Sequence, residues 1–160
     1  MSWVVLPGEP LIDGPTALRP WRDSDLAELV EACRDPEIVR WTRVPDRYSE
    51  ADARTYLLQR YDAVAAGTTA PFAIVGPADG KLLGSISLMR LDWEHRRGEV
   101  GYWLARRARG AGHATRAVGL ICSWGFGSLG LERIDLLAAT GNTASQLVAE
   151  RSGFAREAVL

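Results

Sequence analysis

The apolar residues in the first part of the chain recur at helical spacing. Within residues 26–33 they fall every three or four positions, which predicts an amphipathic helix. Asp23 or Ser24 can cap the start of this helix, and the Asp35-Pro36 pair ends it. Because proline suits the first position of a helix, a second short helix is predicted to start at Pro36.

Proline, glycine and capping residues mark the boundaries of the segments around these helices. Residues 1–15 hold three prolines and two glycines, which predicts a loose lead-in. Residues 16–20 predict a short strand that ends at its proline. Ser49, with Asp52 three residues later, matches a capping box and starts a longer helix that Gly67 closes.

After this helix the apolar spacing changes from helical to alternating. Residues 71–76 and 81–91 predict two strands, and the Ala-Asp-Gly turn at 78–80 joins them as a hairpin. A polar tip at 93–97 leads into a third strand at 98–105. We therefore predict a meander of three antiparallel strands.

In the rest of the chain, segments with helical spacing of apolar residues take turns with segments that have strand-like spacing. We predict a helix over 112–126, a strand over 132–140, a helix over 142–152 and the start of a last strand over 154–160. The order predicts an α+β domain with a mixed sheet. No repeat or linker interrupts the pattern, so residues 1–160 are expected to form a single domain.

The composition is that of an ordinary globular chain with little net charge. Its 160 residues are 47% apolar and carry a formal net charge of −1, so a general nucleic-acid binder is not expected and any anion site must be local. Cys33 and Cys122 are expected as reduced thiols, and no cysteine–histidine spacing suggests a metal site. The chain has no basic leader and no run of about 18 apolar residues, which predicts a cytoplasmic protein without a membrane partner.

Two glycines, Gly110 and Gly112, stand between the third strand of the meander and the next helix. The first turn of a helix has backbone N–H groups without internal partners, and the helix dipole is positive there. Glycine lets phosphate approach these groups without meeting a Cβ. The pattern predicts either a pyrophosphate site or a plain tight turn with a solvated basic face. The surrounding cations could add to an anion site: Arg106, Arg107, Arg109 and Arg116.

Two other phosphate motifs fit this loop poorly. A Walker loop needs Lys and Ser or Thr after its last glycine, where this chain has His113 and Ala114. A dinucleotide fingerprint needs a third glycine, where this chain has Thr115, and a parallel βαβ unit in place of the predicted meander.

The loop and its flanks resemble the GNAT N-acetyltransferase superfamily. Residues 109–114, RGAGHA, match its R/Q-x-x-G-x-G/A signature, and the further blocks resemble its RimJ/RimL branch, the ribosomal-protein-alanine acetyltransferase type. The resemblance implies a central mixed, mostly antiparallel sheet flanked by helices and splayed between its fourth and fifth strands. It also implies acetyl-CoA as cosubstrate and no metal. The matching blocks are LRPWRDSDLAEL, DPEIVRW, YSEADARTYL, FAIV, GKLLGSISL, GEVGYWL, RGAGHATRAV and GLERIDLLAATGNTASQLVAERSGF.

The same resemblance assigns residues to the cofactor. The backbone of Trp103, Leu104 and Ala105 would pair with the pantetheine arm and supply an oxyanion donor, although this segment is also ordinary core strand. Asn142 would hold pantetheine, and it is equally a plausible N-cap. The pyrophosphate would lie on backbone N–H groups of the loop: Arg109, Gly110, Ala111, Gly112, His113, Ala114 and Thr115.

Two residues are candidates for the chemistry. Ser145 would stabilise or protonate the CoA thiolate, since many family members use a tyrosine there and this chain has no tyrosine after Tyr102. Glu99 would accept the proton of the attacking amine through water, unless it is an ordinary edge charge. Tyr102 and His95 are weaker alternatives for the base.

The acceptor is expected to be a primary amine, most simply a protein N-terminal α-amine. An α-amine has a pKa near 7.7–8.0 against about 10.4 for lysine, so its neutral fraction at pH 7 is on the order of 300-fold larger. The alternatives are a small-molecule amine and a CoA-binding module that does not turn over. A homodimer is compatible with the sequence, and a nucleic-acid partner is not expected.

The chain stops at Leu160, just into the strand predicted after Gly153 and Phe154. Family members continue with a further strand, so we expect the C-terminal strand to be truncated.

Overall fold

A computed structural model describes residues 4–158 of the chain. These residues form six strands and five α-helices, joined by short turns. In chain order the elements are β1 Leu11–Asp13, β2 Thr16–Arg19, α1 Leu26–Ala32, α2 Pro36–Trp41, α3 Glu50–Ala66, β3 Ala70–Val75, β4 Leu82–Asp92, β5 Arg97–Leu104, α4 His113–Ser128, β6 Arg133–Leu136 and α5 Thr143–Arg151.

The six strands lie in one sheet in the order of the sequence. Neighbours from β1 to β5 are antiparallel, and β6 runs parallel to β5. The sheet is therefore mixed and mostly antiparallel, with helices packed against it, which confirms the predicted α+β fold class.

The sheet splays between its last two strands. β5 and β6 pair only as far as Val100 and Leu136, whereas β5 continues to Leu104 along its other neighbour, β4. Counted from the strand predicted at residues 16–20, β5 and β6 are the fourth and fifth strands. The opening thus lies between the two strands named in the prediction.

The core has two halves, one on each face of the sheet. Successive side chains of a strand point to opposite faces. One face packs against α4, where the rings of Phe72 and Trp124 meet edge to face with centroids 5.1 Å apart. The opposite face packs against α1 and α3. In β5, Val100 belongs to the α4 face and Trp103 to the α1–α3 face.

Both ends of the chain differ from the sequence prediction. The predicted lead-in contains β1, which pairs with β2 across a turn where Gly14 has φ +55°. Three residues are too few for an alternating pattern to emerge. At the other end, residues 154–158 form no strand, and residues 159–160 lie outside the described part. β6 ends at Leu136, four residues before the predicted end at 140, where its pairing with β5 stops.

Local capping signals predicted the helix boundaries better than periodicity predicted the structure at the two ends of the chain. Ser49 and Asp52 form the reciprocal capping box of α3, and Gly67 closes that helix with φ +72°. Pro36 starts α2, where the Asp35 carboxylate, whose capping role the sequence did not predict, accepts the Glu37 N–H at 3.0 Å. The box, the stop at Gly67 and the start at Pro36 were predicted. These predictions are confirmed because each signal needs only residues that are close in sequence.

The predicted cap of α1 is wrong. Residues 23–25 form a short 3-10 turn before α1, and neither Asp23 nor Ser24 caps the helix. The buried Asp25 carboxylate binds both terminal nitrogens of Arg19, at 2.7 and 2.9 Å, and accepts the Arg22 N–H at 2.8 Å. A buried ion pair therefore fixes the chain between β2 and α1.

We predict that Asp25→Ala lowers the free energy of unfolding by about 3–5 kcal/mol, because it leaves the buried Arg19 charge without a partner. Urea denaturation measures this change. Glu132→Ala, which removes an exposed ion pair with Arg96, serves as the control and should cost far less. Equal losses in the two variants would contradict a stabilising role for the buried pair.

Candidate functional site

The N-terminus of α4 presents backbone donors that the helix does not use. Gly112 is the N-cap residue, has φ +78° and offers no capping side chain. The first helical hydrogen bond runs from the Arg116 N–H to the Gly112 carbonyl at 3.1 Å. The N–H groups of His113, Ala114 and Thr115 precede that bond and have no intrahelical acceptor. This turn is suited to an anion, which is one of the two alternatives that the glycine pattern left open.

Two arginines beside the loop are bound to protein groups. The Arg109 guanidinium contacts the Asp35 carboxylate at 2.6 Å and donates to the Leu104 carbonyl at 3.0 Å. Arg107 donates to the Glu28 carboxylate at 3.1 Å. Both side chains connect the loop region to the α1–α2 side of the molecule. These contacts hold both guanidinium groups on protein acceptors, which leaves the loop backbone as the candidate anion-binding element.

A third arginine lies under the loop in a network with β2. Thr16 Oγ1 accepts from Arg116 Nε at 2.9 Å and lies 2.7 Å from His113 Nδ1. Arg116 also donates to the Ala111 carbonyl at 2.6 Å. Burial, and secondly the charge of Arg116, lower the pKa of His113 below its ordinary value of 6.5. Thr16 Oγ1 and His113 Nδ1 therefore share one hydrogen bond, and the tautomer of His113 sets which of the two atoms donates.

The last residues of β5 turn backbone groups toward the splay. The Ala105 N–H donates to the Leu83 carbonyl of the β4 side at 2.8 Å. Because hydrogen-bonded pairs alternate along an antiparallel ladder, Trp103 also faces β4, while the backbone of Tyr102 and Leu104 faces the opening. Of the three residues expected to pair with the cofactor, Ala105 thus uses its N–H within the protein, and Leu104 presents its backbone to the opening. Tyr102, which the sequence did not assign to the cofactor, does the same.

The start of α5 brings a serine to β5. Asn142 Oδ1 accepts the Ser145 N–H at 3.1 Å, so Asn142 is the N-cap of this helix. The Tyr102 hydroxyl donates to Ser145 Oγ at 3.1 Å. Burial raises the pKa of Tyr102. The sequence could have indicated which face of β5 Tyr102 occupies, but not its contact 43 residues away.

Glu99 lies on the other face of β5. Three positions separate it from Tyr102, so the two side chains point to opposite sides of the sheet. Its side chain is 19% exposed, and the Arg90 guanidinium lies 3.6 Å from its carboxylate. Arg90 has φ +50° at a break in the β4–β5 register. Ser145 contacts β5 through Tyr102, so the two catalytic candidates, Ser145 and Glu99, lie on opposite faces of this strand.

The other candidates are accounted for by local contacts. His95 lies in the exposed turn between β4 and β5, where its Nδ1 is 2.8 Å from the Asp92 carboxylate. Within residues 4–158, no group of three or more His, Cys, Asp or Glu side chains is arranged to hold a metal ion. None of the helices in this range combines the length and apolarity needed to cross a membrane.

Comparison with known proteins gives a consistent result. The family model described as the acetyltransferase (GNAT) domain matches residues 16–155. YdaF of Bacillus subtilis (strain 168), provisionally named a ribosomal N-acetyltransferase, is 43% identical over 79 residues, which cover 49% of this chain and 43% of that protein. The match thus spans less than half of that relative.

Two solved structures share the fold. Mycobacterium smegmatis RimJ in complex with CoA-disulfide has 25% identity and a TM-score of 0.81, with 91% of this chain and 72% of that chain covered. Spermidine N-acetyltransferase from Vibrio cholerae, in complex with CoA and spermine, has 20% identity and a TM-score of 0.79, with 91% and 84% covered. At this identity the second likeness is one of fold alone.

We predict that His113 makes the folded state less stable as the pH falls. Its pKa is lower in the folded state than in the unfolded chain, so the unfolded state binds more protons, and stability is lost as the pH drops below about 6.5. Urea denaturation at pH 7.5 and 5.5 should show a smaller loss for His113→Gln than for the parent chain. The same loss in both proteins would contradict the shift assigned to His113.

Proposed function

The chain belongs to the acetyltransferase (GNAT) domain family, and on that premise we propose that it transfers an acetyl group from acetyl-CoA to a primary amine. The observation that carries the proposal is the uncapped N-terminus of α4, together with the strand edge that β5 leaves unpaired beyond Val100. Anion-binding backbone and an open strand edge are what a long cosubstrate with a diphosphate and two amides requires. Relatives in this family have been crystallised with CoA.

The diphosphate would lie on the first turn of α4. We assign it to the N–H groups of Gly112, His113, Ala114 and Thr115, with Gly110 and Ala111 shaping the approach. A Cβ at Gly112 would lie 2.9 Å from Arg116 Nη1, so glycine keeps this space open. Arg109 contributes through its side-chain bonds to Asp35 and Leu104, since its own N–H points back to the Arg106 carbonyl at 3.4 Å.

The pantetheine arm would add to the free edge of β5. We assign its amides to the backbone of Tyr102 and Leu104, with Asn142 on the opposite side of the splay. Trp103 and Ala105 support this edge by packing, because both side chains are buried. The N–H of Leu104 is the candidate oxyanion donor.

The chemistry would then run across the strand edge. The amine nitrogen attacks the thioester carbonyl carbon, the C–S bond breaks, and its electron pair leaves with the sulfur. Glu99, on one face of β5, takes the amine proton through water. Ser145, on the other face, donates a hydrogen bond to the departing sulfur. The group that deprotonates the entering amine and the group that stabilises the leaving sulfur thus lie on opposite faces of β5.

We favour a protein N-terminal α-amine as the acceptor. A useful fraction of such an amine is neutral near pH 7 without the help of a strong base, since its pKa is near 7.7–8.0. A polyamine is a polycation and needs uncompensated carboxylates, whereas Glu99 is already paired with Arg90. The likeness to RimJ, at 25% identity, and to YdaF supports the same choice. The spermidine enzyme among the structural neighbours makes a small amine the second candidate.

We also propose that the protein is cytoplasmic and forms a homodimer.

Gly112→Ala should weaken CoA binding at least tenfold in calorimetry, because its Cβ would displace the Arg116 guanidinium and strain the backbone at φ +78°, next to the N–H groups proposed to bind phosphate. Gly130→Ala is the matched control, since Gly130 also has a positive φ, +69°, but has open space around its Cα. Both variants should lose about 1–2 kcal/mol of stability. Unchanged CoA affinity in Gly112→Ala would contradict the loop assignment.

The acceptor is tested by thiol release from acetyl-CoA with three amines: a peptide with a free N-terminal alanine, the same peptide blocked at its N-terminus but containing lysine, and spermidine. We expect release with the free N-terminus to exceed release with the blocked peptide by on the order of 100-fold, in keeping with the neutral fractions of the two amines. Highest release with spermidine would favour the small-amine alternative. CoA binding without release from any amine would indicate a module that does not turn over.

A further inference from the structure

We propose that Tyr102 is a positioning residue that fixes the Ser145 hydroxyl as a hydrogen-bond donor toward the leaving sulfur. This inference rests on the proposed function, in which Ser145 serves the CoA thiolate. The side chain of Tyr102 touches neither the thioester nor the amine in this account, and it acts only through Ser145.

Two contacts on different elements hold Ser145. Its main-chain N–H donates to Asn142 Oδ1 at 3.1 Å, which fixes the first turn of α5. Its side-chain oxygen accepts from Tyr102 Oη at 3.1 Å, across to β5. Main chain and side chain are thus anchored independently, and the second anchor comes from the strand whose free edge is proposed to hold the thioester.

The direction of the second bond matters for the chemistry. A serine hydroxyl has one hydrogen and two acceptor lone pairs. When the phenol of Tyr102 donates, it occupies one lone pair and leaves the serine hydrogen available for another acceptor. If the serine donated to the phenol, a lone pair would face the leaving sulfur and repel it.

Tyr102 is the donor in this contact as the structure records it. Its ring packs against the buried core beneath α4, and burial raises the pKa of its hydroxyl. The phenol therefore stays protonated near neutral pH and has a proton to donate to Ser145.

The proposed step leaves both hydroxyls protonated. The C–S bond breaks with its electron pair on sulfur, and the Ser145 hydrogen bond stabilises the developing thiolate. The amine proton leaves through water at Glu99, and the thiolate takes a proton from solvent. Tyr102 and Ser145 therefore need no separate step to regain a proton.

The test is a double-mutant cycle on turnover, using the amine of the panel that gives the highest thiol release. The variants are Tyr102→Phe, Ser145→Ala and their combination. Tyr102→Phe keeps the ring and should lower kcat about fivefold to twentyfold, with the KM for acetyl-CoA unchanged within about twofold. Ser145→Ala should lower kcat about tenfold to a hundredfold. The combined variant should match Ser145→Ala alone, because Tyr102 has no partner to position there.

The control is Tyr61→Phe, which removes an exposed tyrosine hydroxyl bonded to Asp23 at 3.0 Å and should leave kcat unchanged. Thermal unfolding of each variant verifies that the fold is retained. A full kcat in Tyr102→Phe would overturn the inference. So would losses in Tyr102→Phe and Ser145→Ala that multiply in the combined variant, while the role of Ser145 would stand. A full kcat in Ser145→Ala would instead remove Ser145 from the proposed mechanism and the positioning role with it.

Discussion

The site depends on backbone hydrogen-bonding groups that the fold leaves unsatisfied at one place. The first turn of α4 has N–H groups at residues 113–115 with no helical acceptor, and Gly112 brings no side chain to cap them. The backbone at the end of β5 loses its neighbour where β6 diverges. Unsatisfied donors are costly when they are buried, so they must face solvent or a ligand. The uncapped helix and the splay thus leave two sets of backbone groups open to a ligand.

The surrounding side chains make that opening rigid. Arg109 connects the loop region to Asp35 on the α1–α2 side, and Arg116 connects it to Thr16 on β2. An arrangement in which cations brace the loop while neutral N–H groups remain open suits a ligand that must be released after each turnover. Across the strand, Glu99 and Ser145 occupy opposite faces of β5. The acceptor side and the leaving-group side of the proposed reaction are thereby separated by a single strand.

The sequence predicted what short-range signals determine. The Ser49–Asp52 capping box, the Gly67 stop and the strand–glycine–helix order around Gly112 need only neighbouring residues, and each is found in the structure. It missed β1, which is too short for periodicity, and it assigned Asp23 or Ser24 to a cap. Asp25 instead binds Arg19, because a buried guanidinium requires a carboxylate more than a helix end requires a cap.

Short-range sequence signals could not predict the contacts between distant segments. The contacts of Tyr102 with Ser145 and of Arg109 with Asp35 join distant segments, and only the folded topology brings them together. The family signature supplied candidate residues for the site but not the faces of the sheet on which they lie. The most direct measurement is a crystal structure with acetyl-CoA. The account predicts diphosphate oxygens within hydrogen-bonding distance of the main-chain N–H groups of residues 112–115. A diphosphate held elsewhere, by arginine side chains alone, would contradict it.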